Sequence, residues 1–173
     1  MISGLGIVLI LSAGVGMGVF RARELWARPR QIRALIQALS ALETQILYGE
    51  MFLADGFRDC VNGCGEDAVK KIFLYLSERL TGDRRCRISE AVTAMQRRMK
   101  SDVSFGQAEW NVLMFLGEQL GRTDCNETEK QLRLAVEQLK RIEDTAITDA
   151  KRKGKMSIYI GVCGALMMIL MCI

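Results

Sequence analysis

Residues 126–155 read NETEKQLRLAVEQLKRIEDTAITDAKRKGK, and within them Leu132, Val136, Leu139, Ile142 and Ala146 recur every three or four positions. That is the repeat of one helix face. No proline interrupts the stretch, and its only glycine is Gly154. The spacing therefore predicts an unbroken helix. Because residues 156–173 carry no charge at all, the helix is expected to run on into them as one rod of more than about 40 residues, rising 1.5 Å per residue and coupling the middle of the chain rigidly to its apolar end.

Working back toward the N-terminus, the same repeat appears five more times. Trp110, Leu113, Met114 and Leu120 mark a helix that ends at Gly121, and Ile88, Ala91, Val92, Met95 and Met99 mark another, with Ser89 and Glu90 near its start. Val69, Ile72, Phe73, Leu76 and Leu80 predict a helix over 66–80, stopped by Thr81-Gly82-Asp83. A short segment from Met51 to about Val61 offers Phe52, Leu53 and Phe57 and closes on Asn62-Gly63-Cys64-Gly65. Ile32, Leu35, Ile36, Leu39, Leu42 and Ile46 share one face of a helix that starts around Pro29 and ends at Gly49. Pro29 is the single proline of the chain; it suits a first helical turn and disfavours α geometry at Arg28, so a break or bend is expected there. No stretch alternates apolar and polar residues as a strand does. The fold expected is all-α, a six-helix bundle.

All charged residues of the 173-residue chain, 24 Lys and Arg against 20 Asp and Glu, lie between the uncharged segments 1–20 and 156–173. Twenty residues reach about 30 Å as a helix, the thickness of a hydrocarbon core, and eighteen are at the short end of that range. Each end is expected to be a transmembrane helix. A cleaved leader would need a basic start and a small-x-small site, whereas only Met1 precedes the first run and Arg21-Ala22-Arg23 follows it, so an anchor is expected. Arg21, Arg23, Arg28, Arg30 and Arg33 follow the first segment, and Lys151, Arg152, Lys153 and Lys155 precede the second. Both flanks place residues 21–155 in the cytoplasm with the two termini outside. Gly14-x-x-x-Gly18 and Gly161-x-x-x-Ala165 would let these helices approach a neighbour closely.

The net charge of +4 does not point to nucleic acid. With the nine flanking cations and Glu24 and Asp149 set aside, 15 basic and 18 acidic residues remain between 34 and 148, so the excess is explained by headgroups and topology. The chain has no His, which removes imidazole metal sites, Ser-His-Asp triads and imidazole proton shuttles. The cysteines at 60, 64, 86 and 125 lack zinc spacing and are taken as small apolar residues. Gly117-Glu118-Gln119-Leu120-Gly121 is not followed by the Lys and Ser or Thr of a phosphate loop. Carboxylates are expected to serve solubility and helix pairing, as Glu137 with Arg141. Catalytic residues, cofactors and metals are not expected. The arginines at 84, 85 and 87 and the trio Arg97, Arg98, Lys100 are either solvated helix ends or a docking face for an acidic partner.

Particular strings then carry a resemblance. Arg28-Pro29-Arg30-Gln31-Ile32-Arg33 follows directly on the first segment, Leu42-Glu43 is followed by Ile46-Leu47-Tyr48-Gly49, and Gly117 to Asp124 is followed by Lys130-Gln131-Leu132. Together with two uncharged ends around one helical middle, these resemble the stage III sporulation protein AB family over essentially the whole chain. Met51-Phe52-Leu53 stands where Thr-Pro-Leu is expected, and Leu116 where Phe is expected.

The resemblance implies a platform or connector subunit in the mother-cell membrane facing the forespore, part of the secretion-like channel complex between the two cells. It implies a middle domain similar to the cytoplasmic domain of the type II secretion platform protein, the F component. The implied partners are a cytoplasmic secretion-type ATPase and membrane ring subunits, with a homo-oligomer as a further option. The candidate partner-facing residues are Arg30, Arg33, Glu43, Tyr48, Glu118 and Asp124, where the family strings fall on expected surfaces. Gly49, Gly117 and Gly121 are expected to end helices or permit close packing. The alternative is a membrane-bound helical regulator or enzyme binding a ligand between its helices.

Overall fold

The structure, a computed structural model, describes residues 16, 20, 24–48, 53–82, 87–120 and 125–172. Among them are six helices and no strand: α1 (Ala27–Tyr48), α2 (Leu53–Gly63), α3 (Asp67–Gly82), α4 (Ile88–Met99), α5 (Gln107–Gln119) and α6 (Cys125–Cys172). The six periodic stretches each form one helix, and α6 is one helix of 48 residues. Trp26 stands in a turn just before α1, and Pro29 lies in the helix's first turn, where an N–H has no intrahelical acceptor to lose. Among the described residues no helix is long and apolar enough to cross a membrane. Residues 1–15 and 17–19 lie outside the described part.

Contacts group the chain into two units, Arg30–Asp144 and residues 1–29 with 145–173. The core of the first is the set the periodicity picks out. Ile32, Leu35, Leu39 and Leu42 of α1, Val69, Ile72, Phe73 and Leu76 of α3, Ala91, Val92 and Met95 of α4, Trp110, Leu113 and Leu116 of α5, and Leu132, Val136 and Leu139 of α6 are buried. A fully buried aliphatic or aromatic side chain contributes about 1.5–3 kcal/mol over an exposed one, so this set is what holds the short helices in place. Phe57 meets Phe73 at 5.9 Å between ring centroids, and Phe105 meets Trp110 edge-on at 5.7 Å. Consecutive helices pack together, α3 on α2, α4 on α3 and α5 on α4. In the second unit Ala146 and Ala150 are buried, while Phe20, Trp26, Met156, Tyr159, Ile160 and Met167 are exposed.

Two glycines permit close helix approach rather than ending helices. A Cβ on Gly117 would lie 2.9 Å from Val92 Cγ2 and 3.3 Å from Val92 Cβ, so α4 and α5 meet where α5 has no side chain. Gly117 falls inside α5, which settles its role as packing. A Cβ on Gly56 would lie 2.9 Å from Leu42 Cδ1, an end that can swing aside. Gly49 and Gly121 lie outside the described residues.

Candidate interaction site

Of the six residues nominated for partners, three are tied to other helices of the same unit. Arg33 Nε donates to Glu143 Oε1 at 2.7 Å, Arg133 Nε lies 3.5 Å from Glu43 Oε1, and Arg30 Nε lies 3.7 Å from Glu66 Oε1 at the head of α3. The first two pairs share one geometry. Ten residues forward along α1, from 33 to 43, match ten residues backward along α6, from 143 to 133. The helices therefore run antiparallel in one register over about 15 Å.

The signs alternate in a way that guards that register. α1 offers a cation and then an anion, and α6 offers the same in its own direction. A slip of about one turn in one sense would set Arg33 opposite Lys140 and Glu43 opposite Lys130; in the other it would set Glu43 opposite Glu137. Each slip creates a like-charge contact, which is discrimination by repulsion. The arginines are mostly exposed while the Glu143 and Glu43 side chains are only 13% and 17% exposed. Such half-screened pairs contribute about 1 kcal/mol or less each. Arg141 meets Glu137 at 2.8 Å, the expected one-turn pair.

Glu118 is placed differently. It stands exposed on α5 at the rim of an open groove of about 380 Å³ lined otherwise by Ser89, Glu90, Thr93, Ala94 and Arg97 of α4. It is open because α4 shows only small side chains, Thr93 and Ala94, between Glu90 and Arg97. Glu90 lies in the first turn of α4 and Arg97 in the last, each the sign its helix end favours. Among the described residues, Glu90, Arg97 and Glu118 form no ion pair. The neighbouring Arg98 instead lies over the Tyr75 ring at 5.9 Å, committed to α3.

Tyr48 is the last residue of α1, its side chain outside the described part, and Asp124, Gly14 and Gly18 also lie outside it. Gly161 and Ala165 fall on α6, with their surroundings outside it. Reading the sequence did not find Gln31 as an anchor: it is buried, and its Oε1 accepts the backbone N–H of Ser104 at 2.8 Å, fixing the turn between α4 and α5 onto α1. A Gln inside the arginine-rich string was the only signal. Glu109, wholly buried beside Trp110, had none.

Cys60 and Cys64 are buried free thiols. Cys60 Sγ donates to the Ala38 carbonyl at 3.3 Å, and burial first, then Asp59 and Cys64, push its thiol up to about 11. A thiol held protonated is a packing group rather than a nucleophile. Among the described residues no cluster of three His, Cys, Asp or Glu could hold a metal ion.

Comparison with known proteins gives one consistent answer. A family model described as stage III sporulation protein AB matches residues 3–173. A protein of that name from Bacillus subtilis (strain 168) is 30% identical over 174 residues, covering 99% of each chain. A solved structure of a stage III sporulation protein AB superposes with a TM-score of 0.66 at 28% identity, covering 72% of this chain and 97% of its own.

Proposed function

Because the chain belongs to the stage III sporulation protein AB family, we propose that it is a non-enzymatic membrane platform of the sporulation channel complex between mother cell and forespore. In this role it connects a cytoplasmic secretion-type ATPase to membrane ring components. Residues 1–20 and 156–173 are its transmembrane helices, residues 21–155 its cytoplasmic domain, and both termini lie outside the mother-cell membrane that faces the forespore. The observation that carries the reading is the family match over residues 3–173, which takes in both uncharged ends as well as the helical middle.

The physical features suit a connector. Arg30, Arg33 and Glu43 pair with residues of their own unit while the two arginines stay mostly exposed, and Glu118 stands exposed at the rim of the α4 groove. The apolar gap bordered by Leu39, Phe57, Ile72 and Leu113 is about 20 Å³, room for about one water. The names of the matched relatives specify a sporulation protein and no catalysed reaction.

The test is topology in intact cells, with alkaline phosphatase fused after Ile173 and separately after Arg122. Activity at the C-terminal fusion alone is expected. Activity at the middle fusion would put the bundle outside, beyond the reach of a cytoplasmic ATPase, and end the connector reading.

A further inference from the structure

The groove on α4 has the charge pattern of a surface that fits itself. Glu90 and Arg97 point into it from the same stripe of one helix, seven residues and so about 10 Å apart. The midpoint between them falls between Thr93 and Ala94, the two small side chains that form the floor. If two copies of α4 cross antiparallel about a two-fold axis at that midpoint, Glu90 of each lies against Arg97 of the other. A two-fold contact is self-complementary by construction, since what residue i does to j, j does to i.

We propose that this α4 groove is a homodimer interface whose occupant is the α4 helix of a second copy of the chain. Three observations meet there. The charges at the two ends are opposite in sign, exposed, and without an ion pair among the described residues, although the chain pairs Arg30, Arg33, Arg133 and Arg141 internally. The floor between them is small enough for two helix backbones to approach closely. Glu118 adds a second carboxylate at the Glu90 end, so the incoming Arg97 guanidinium meets two acceptors with its planar set of donors. Phe115, one turn before Glu118 on α5 and 43% exposed, supplies apolar surface that charge pairs alone do not. This inference does not depend on the connector reading, because it concerns only the chain and its copy.

The experiment is sedimentation equilibrium of the full chain in detergent, with circular dichroism to check the helices. The wild type is expected to dimerise. Glu90→Arg and Arg97→Glu each turn both symmetric pairs repulsive, and each is expected to raise the dimer Kd at least about tenfold with helical content unchanged. The decisive step mixes the two variants. A heterodimer would set Arg at position 90 against Glu at position 97 on one side and leave Glu90 against Arg97 on the other, so two chains that are monomeric alone should pair when combined. A monomeric wild type, variants that dimerise like the wild type, or a mixture that stays monomeric would each overturn the proposal. General loss of folding cannot imitate the expected result, because misfolded chains do not recover by mixing.

Discussion

Replacing Gly117 with Ala should destabilise the bundle, although the same change inside an ordinary helix stabilises it. Ala is favoured over Gly by about 1 kcal/mol in a helix interior. Here the new Cβ would stand 2.9 Å from Val92 Cγ2, and Val92 is 3% exposed on a helix where valine has one strongly preferred rotamer. Swinging aside is not open to it, so α4 and α5 must separate by a few tenths of an ångström. Overpacking of that kind costs about 1–3 kcal/mol, leaving a net loss of about 1 kcal/mol. The sign should reverse when the obstacle is removed. Val92→Ala alone leaves a cavity and costs about 2 kcal/mol. Added to it, Gly117→Ala meets the remaining Val92 Cβ at 3.3 Å and the Ile88 carbonyl at an ordinary 3.6 Å, recovers the helix preference, and should raise stability by roughly 0.5–1 kcal/mol. Urea unfolding followed through the buried Trp110, comparing midpoints at constant slope, measures all four corners of the cycle. An equal loss in both backgrounds, or a gain in the wild type, would refute the argument that the missing side chain sets the helix separation.

The antiparallel ladder gives a second expectation: Arg33→Glu and Glu143→Arg should each lower stability by about 1 kcal/mol, a modest figure because Arg33 is 63% exposed. Combined they should regain most of that loss in thermal unfolding, and an additive double variant would mean that the pair carries no coupling. Cys60 gives a third, from pH. Its thiol is pushed from 9.0 to about 11 in the folded chain, so the folded state holds its proton more tightly. The contribution is complete below pH 9 and is lost as pH rises from 9 through about 11. Stability of the wild type should fall more steeply across that window than stability of Cys60→Ala, and parallel profiles would contradict the shift.

Helix content was legible because periodicity and punctuation agreed. The stripes on α3, α4 and α6 are buried except at one position each, with Leu80, Met99 and Ile142 half-buried, and only ends moved: α2 runs over 53–63 rather than 51–61, and α5 begins at Gln107, three residues before Trp110. Gln107 to Glu109 gave no apolar signal, because the buried member of that turn is a glutamate. The candidate site was less legible for a similar reason. Arg33 and Glu43 were visible as charged positions in a distinctive string, but choosing Glu143 and Arg133 from all the charges on α6 requires knowing that α1 and α6 pair and in what register. The α4 groove brings Glu118 of α5 beside Glu90 and Arg97 of α4, a juxtaposition that neither helix announces alone.

The pairing of α1 with α6 also sets an order in time. Arg33 and Glu143 are 110 positions apart, so at about 5–20 residues per second a ribosome takes roughly 5–22 s to deliver the second after the first. Throughout that interval α1 exists without the helix that fixes its register, and its stripe of Ile32, Leu35, Leu39 and Leu42 can be covered only by α2 to α5 as they emerge. The antiparallel ladder is therefore the last part of the bundle to close, and a ribosome stalled before α6 would present an unfinished apolar surface to whatever chaperone or membrane lies nearest.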